Sequence, residues 1–285
     1  PIWTVACVAL LSAFALWAEE PIRFEASLDV VEQDGYRFQR LARLPEGEWV
    51  VEVTRGGKVV HRIFAGYSQH LQGYGFFGTP TLRHLQFAFH QLIPGDRPQV
   101  VIRLWSGGKN CCHYHWVLGT QPSLGVLLDT KRFHFDGLSE VVDLDRDGVP
   151  ELHFAPTTFD YFGGSYANSP RPQAWFRFNQ ATQRYEPAND LLFPYLQEGY
   201  GKALRALPTL QQHMAAGGLH EELGGQVTEI VLHYLYAGRE NEAWRIHESR
   251  YPYEDIAGWR ESIEQRLASD PFYQELRARM KRDGR

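Results

Sequence analysis

Asp143-Leu144-Asp145-Arg146-Asp147-Gly148-Val149-Pro150-Glu151, running directly into the apolar Leu152-His153-Phe154-Ala155, is the stretch on which the reading of this chain turns. Asp143, Asp145 and Asp147 stand at alternate positions and can turn their oxygens inward together. Calcium, a hard cation that takes about six to eight oxygen ligands, needs that convergence. Gly148 falls where such a loop bends sharply, because a residue without Cβ adopts a positive φ at little cost. Val149 can add a backbone carbonyl and Glu151 a fourth carboxylate. The competing reading is an ordinary solvated acidic turn, since Asp and Gly are common in turns. Four carboxylates this close repel one another unless a cation neutralises them, which favours calcium. An EF-hand is excluded: its closing glutamate stands at the twelfth loop position, which is Phe154 here, whereas the acid comes at the ninth.

The Asp-x-Asp-x-Asp-Gly-x-x-Glu form, leading straight into a strand-like run, resembles the calcium loop of FG-GAP or integrin-type (VCBS-like) β-propeller repeats, where it caps a hairpin. Together with Ser106-Gly107-Gly108, Cys111-Cys112 and Ser169-Pro170 it is similar to a β-unit of secreted bacterial proteins, over roughly residues 92–180. The resemblance implies calcium as a structural ion on Asp143, Asp145, Asp147 and Glu151, and it implies no catalytic residue. Missing repeats and a helical tail set this chain apart from a full propeller with integrin-like ligand binding.

A faint internal repeat accompanies the loop. Pro98-Gln99-Val100-Val101-Ile102, followed by Gly107-Gly108, matches Pro150-Glu151-Leu152-His153-Phe154, followed by Gly163-Gly164, at a spacing of 52 residues between the prolines. That spacing suits one four-stranded blade. The earlier copy keeps only Asp96, so one calcium site is expected. Residues 45–57 form a weaker echo through Val50-Val51 and Gly56-Gly57.

Working outward, residues from Pro21 to Pro187 read as short strands broken by turn signals such as Pro45-Glu46-Gly47, Gly56-Gly57 and Pro94-Gly95-Asp96. After Pro187 the pattern changes. Val227, Ile230, Val231, Tyr234 and Leu235 form an apolar stripe at helical spacing that Gly238 can stop. Asp255 can cap a helix bearing Trp259, Ile263 and Leu267, and Asp270-Pro271 can open another with Phe272, Leu276 and Met280. The expected class is α+β. It comprises an export segment over 1–18, an N-terminal all-β domain over 19–188, propeller-blade-like or a sandwich, and a C-terminal α-helical module over 189–285.

The 285 residues, 44% hydrophobic and 14% aromatic, describe a globular chain, and a formal charge of −5 offers nothing to nucleic acid. Residues 1–18 carry no charged side chain, and Val5–Trp17 reads as the apolar region of a secretory signal. Both cleavage and retention as an anchor imply export, so a periplasmic or secreted location is expected, with membrane contact only if the segment stays uncleaved. Cys7 lies within that apolar run. Cys111 and Cys112 are adjacent, and in an oxidising compartment they form a vicinal disulfide or stay buried as structural thiols.

The second unusual cluster is Ser106-Gly107-Gly108-Lys109-Asn110-Cys111-Cys112-His113-Tyr114-His115-Trp116. On a strand, Cys111, His113 and His115 would share a face, a set that could hold zinc or copper. No fourth ligand is identifiable, so a structural role is expected. A Cys-His nucleophile oriented by Asp136 or Glu140 draws on the same residues, but neighbouring strand residues point apart. Asp160, in the aromatic stretch 157–172, is a candidate extra ligand. The functional expectation is an exported, non-catalytic calcium-binding module for a protein or glycan partner. The alternative is a cell-envelope hydrolase with a site near residues 111–161.

Overall fold

The structure, a computed structural model, describes residues 22, 24, 29–41, 49–64, 85–105, 113–216, 220–251 and 253–285. The expectations for the export segment, Cys7 and the Cys111-Cys112 pair lie outside these residues.

Three consecutive four-stranded antiparallel sheets make up the N-terminal part. The first holds β1 (Val30–Gln33), β2 (Tyr36–Arg40), β3 (Trp49–Arg55) and β4 (Lys58–Phe64). The second holds β5 (Leu85–His90), β6 (Gln99–Trp105), β7 (His113–Gly119) and β8 (Gly125–Asp129). The third holds β9 (Phe135–Val142), β10 (Glu151–Pro156), β11 (Ala174–Asn179) and β12 (Arg184–Pro187). In each sheet the strands neighbour one another in chain order, so every connection is local. The class is therefore mixed α+β with an N-terminal β region, and among the described residues the sheets close into neither barrel nor ring.

The 52-residue spacing read from the sequence corresponds to the step from one sheet to the next: Pro98 and Pro150 each stand just before the second strand of their sheets, β6 and β10. The weaker echo is corrected. Val50-Val51 lie in β3, the third strand of its sheet, whereas the second strand, β2, is entered from the Asp34-Gly35 turn.

Period-two alternation sorts the second sheet into two buried faces. Phe87, Ile102 and Trp116 are cross-strand neighbours on one face and share a core with Phe38, Val51 and Val53 of the first sheet. Ala88, Val101, Val117 and Leu128 occupy the other face and join the larger core with Leu152, Phe154 and Phe176 of the third sheet. The second sheet is thus an internal layer. That explains why Val100-Val101-Ile102 is a continuous apolar run and not an alternating one.

Five helices follow: α1 (Asn189–Ala216), α2 (His220–Tyr236), α3 (Glu240–Arg250), α4 (Ile256–Ala268) and α5 (Pro271–Arg282). Asp255 caps α4 by accepting from Gly258 N–H at 3.0 Å, and Asp270 caps α5 by accepting from Tyr273 N–H at 2.9 Å. Gly238 turns the chain after α2 at φ +73°. The helices dock on the third sheet. Phe272 of α5 packs at ring-centroid distances of 5.2 Å from Phe176 and 5.9 Å from Phe133 and Phe135. From α1, Tyr200 donates to Gln173 Oε1, which also accepts from Trp175 Nε1 beside β11. Between β10 and β11 runs the loop 157–173, which α2 approaches so closely that a Cβ on Gly225 would stand 2.5 Å from the Asn168 carbonyl oxygen.

Candidate metal centre

Residues 143–150 connect β9 to β10 as the turn of a hairpin, with Val142 and Glu151 paired across it. Arg146 and Gly148 adopt φ of +61° and +88°, which lets so short a segment fold back on itself. A Cβ on Gly148 would meet nothing within 4 Å, so backbone conformation alone calls for glycine there. The acids tie the loop through its own amides. Asp143 accepts from Asp147 N–H (3.1 Å) and Gly148 N–H (3.0 Å), and Asp145 accepts from Asp147 N–H (3.2 Å). Asp147 Oδ1 accepts from Val149 N–H (2.8 Å), and Glu151 Oε2 from Leu144 N–H (2.7 Å). Leu144 and Val149 pack part-buried against the larger core and anchor the loop from beneath.

Asp143, Asp145 and Glu151 each bring a carboxylate oxygen within 4.8 Å of the others. Two ligands on opposite sides of one calcium, each at roughly 2.3–2.6 Å, lie about 5 Å apart, so this spread fits a single ion. Glu151 is fully buried, and its Oε1 has no hydrogen-bond partner. Its carboxyl is pushed up to about 7, first by burial and then by the charges of Asp145, Asp147 and Asp143, against the pull of the Leu144 amide. Asp147 stands outside the triad, with Oδ1 on Val149 and Oδ2 on Arg177. Of the five residues expected from the sequence, three carboxylates are therefore gathered, while Asp147 and Val149 contribute hydrogen bonds that shape the turn.

Sequence reasoning missed Arg177. It projects from β11, beside the Leu152–Phe176 pair, and its Nη2 lies 2.7 Å from both Asp145 Oδ2 and Asp147 Oδ2. Its Nε faces Glu151 Oε1 at 3.8 Å, too far for a hydrogen bond. Burial by itself would lower its pKa, yet the hydrogen bond to Asp147 and the charges of Asp145, Asp147 and Glu151 raise it on balance. One signal was available: a lone charge within the apolar run Trp175-Phe176-Arg177-Phe178. From β12, Tyr185 donates its hydroxyl to the Pro150 carbonyl at 3.2 Å and fixes the end of the loop.

The other candidates fall elsewhere. His113 and His115 lie two residues apart on β7, opposite the face that sends Tyr114 and Trp116 into the core shared with the first sheet. His115 is buried, and burial drives its pKa down to about 3; its ring meets Phe154 edge-on at 5.5 Å. His113 Nδ1 contacts the backbone carbonyl of Asp136. Among the described residues, neither histidine belongs to a three-ligand group. Asp160 takes Arg171 as its partner at 2.9 Å and is not drawn to the loop. Its carboxyl rises to about 6 through burial, restrained by Arg171. Glu140 lies across from His153, with Oε1 4.0 Å from Nδ1.

No protein-family profile, no curated protein and no solved structure matches the chain.

Proposed function

We propose that this chain is an exported, non-catalytic calcium-binding module in which the ion is structural, holding the hairpin at the end of β9 and β10. The observation that carries the reading is Glu151, a fully buried carboxylate with one oxygen lacking a hydrogen-bond partner, gathered with Asp143 and Asp145 within 4.8 Å. Burying an ionised carboxylate without compensation is costly, and a hard divalent cation supplies that compensation through the oxygens present. The donor set is all oxygen, which suits calcium over zinc or copper.

The finer architecture belongs to the same proposal. Each four-stranded meander passes its buried face to the next, as propeller blades do, and the helices cover the third sheet where a further blade would otherwise pack. This supports the likeness to FG-GAP-type units, with a protein or glycan as the partner outside the cell. No helix among the described residues is long and apolar enough to cross a membrane. A cavity of about 330 Å³ lies beside the turns of the first sheet, among Glu32, Asp34, Arg37 and Gly56.

The test is a calorimetric titration of the metal-stripped chain with calcium, paired with melting in calcium and in EDTA. One ion per chain and a higher melting temperature in calcium are expected, and Asp145→Ala removes both. No heat of binding together with identical melts would overturn the reading.

A further inference from the structure

The loop is already served by a cation from a neighbouring strand. Arg177 Nη2 bridges Asp145 Oδ2 and Asp147 Oδ2 at 2.7 Å each, and Nε points at Glu151 Oε1 from 3.8 Å. Asp145 and Glu151 are also two of the three residues whose oxygens lie within 4.8 Å of one another. A guanidinium and a metal ion would therefore draw on the same two carboxylates. The guanidinium does the job incompletely: one positive charge faces four acids, and at 3.8 Å it leaves both Glu151 Oε1 and its own Nε buried without a hydrogen-bond partner. A calcium ion doubles the charge and approaches oxygen to roughly 2.3–2.6 Å.

The backbone of Arg177 cannot follow its side chain. β11 is an interior strand of the third sheet, and the pairings Leu152↔Phe176 and Phe178↔Tyr185 bracket the residue on both sides. The side chain itself is 36% exposed, so it has a route to solvent that does not disturb the sheet.

We propose that Arg177 is a tethered counter-cation of the calcium loop: it neutralises Asp145 and Asp147 when calcium is scarce, yields Asp145 and Glu151 to the ion when calcium binds, and so sets the calcium concentration at which the loop responds. The proposal rests on the calcium reading of residues 143–151. It gives the site a regulated affinity, because every binding event must displace a charge the protein supplies itself.

The experiment measures calcium binding by titration calorimetry on the full chain for wild type, Arg177→Gln and Arg177→Lys. Removing the competing charge should tighten binding on the order of tenfold to a hundredfold in Arg177→Gln, since like charges a few ångströms apart repel strongly at a partly buried site. Arg177→Lys, which keeps the charge but cannot make the same two-point contact while facing Glu151, should fall between. In EDTA, Arg177→Gln should melt below wild type; in calcium it should recover. A glutamine variant that binds when wild type does not, at the same calcium concentration, also supports the proposal. Wild type that binds calcium while Arg177→Gln binds no tighter overturns the role of Arg177 and leaves the loop reading intact. Absence of binding in all three proteins overturns both. Should Arg177→Gln fail to fold, the Nε resonance of Arg177, identified by its loss in Arg177→Lys, must shift in wild type with the same midpoint as calcium binding; a stationary resonance overturns the proposal.

Discussion

Glu151 Oε1 and Arg177 Nε face each other across 3.8 Å, both buried and neither hydrogen-bonded. The other oxygen of this carboxylate accepts from Leu144 N–H, but Oε1 meets only charge, and the value of Glu151 to the fold depends on what neutralises it. Glu151→Gln keeps the volume and an oxygen for the Leu144 amide while removing the charge. In EDTA this variant should be as stable as wild type or more so, because a buried charge that Arg177 compensates only in part is lost. In calcium the order should reverse: a ligand at about 100 times its Kd stabilises the native state by about 2.7 kcal/mol, and the variant forgoes most of that. Urea unfolding of both proteins, with and without calcium, decides it. Equal calcium responses would count against Glu151 as a ligand.

Gly163, in the loop after β10, adopts φ +70°, and a Cβ there would stand 2.1 Å from Trp259 Cη2 of α4. Trp259 cannot easily yield, since its Nε1 donates to Thr228 Oγ1 at 2.9 Å and its ring packs on Phe162 at 4.9 Å. Gly163→Ala should therefore cost about 2–4 kcal/mol, from the strained φ together with overpacking. Pairing it with Trp259→Leu should recover part of the loss. Chemical denaturation of the single and double variants measures the coupling, and strict additivity would mean the contact is relieved in some other way.

The division into strands and then helices was legible because turn residues and helical stripes are local signals. Asp255 and Asp270 cap the helices whose stripes they precede. The loop acids were legible for the same reason, being neighbours in sequence. Two helices were not. α1 carries Pro194 and Pro208 within it, residues that normally end a helix, and tertiary packing of Leu196, Tyr200 and Leu207 overrides them. α3 buries only Ala243 and His247, too little for a stripe to show. Arg177 was invisible as a site residue because it reaches the loop across the sheet from 26 residues beyond Glu151, a contact set by strand pairing and not by spacing.

Phe272 tests whether the helices and the third sheet unfold together. It is buried at the meeting point of Phe133, Phe135, Phe176 and Tyr236, with ring centroids 5.2–5.9 Å away. Phe272→Ala should cost about 3–5 kcal/mol, the usual range for emptying such a site. If the tail and sheet form one cooperative unit, amide exchange in β10 and β11 accelerates along with that in α5. Acceleration confined to α5 would show that the tail opens independently.

Glu229 and His233 stand one turn apart on α2, with Oε1 and Nε2 separated by 3.9 Å. His233 stacks on Tyr200 at 4.3 Å, and Glu229 Oε2 accepts from Arg171 N–H at 3.1 Å. Burial, aided by nearby His153, lowers His233 from 6.5 to about 3, whereas burial raises Glu229 from 4.5 to about 7 against the pull of Arg171. The signs oppose. A depressed histidine favours the native state above the unfolded pKa of 6.5, and that contribution is lost as pH falls toward 3. A raised carboxyl favours the native state below 4.5, and that contribution is lost as pH climbs toward 7. Between pH 4.5 and 6.5 the folded pair binds one proton, on Glu229, and the unfolded pair also binds one, on His233, so wild type gains no pH dependence from them. Breaking the pair should expose each half. On acidification from pH 6.5 to 5, His233→Phe should gain stability relative to wild type and Glu229→Gln should lose it, each by about 1–2 kcal/mol given a ceiling near 1.4 kcal/mol per pH unit. Glutamine keeps the acceptor for Arg171 and phenylalanine keeps the stack on Tyr200, so packing losses shift the curves without tilting them. Urea unfolding of the three proteins at pH 6.5, 5.75 and 5 measures the tilt, and three parallel curves would show that these groups keep ordinary pKa values in the folded chain.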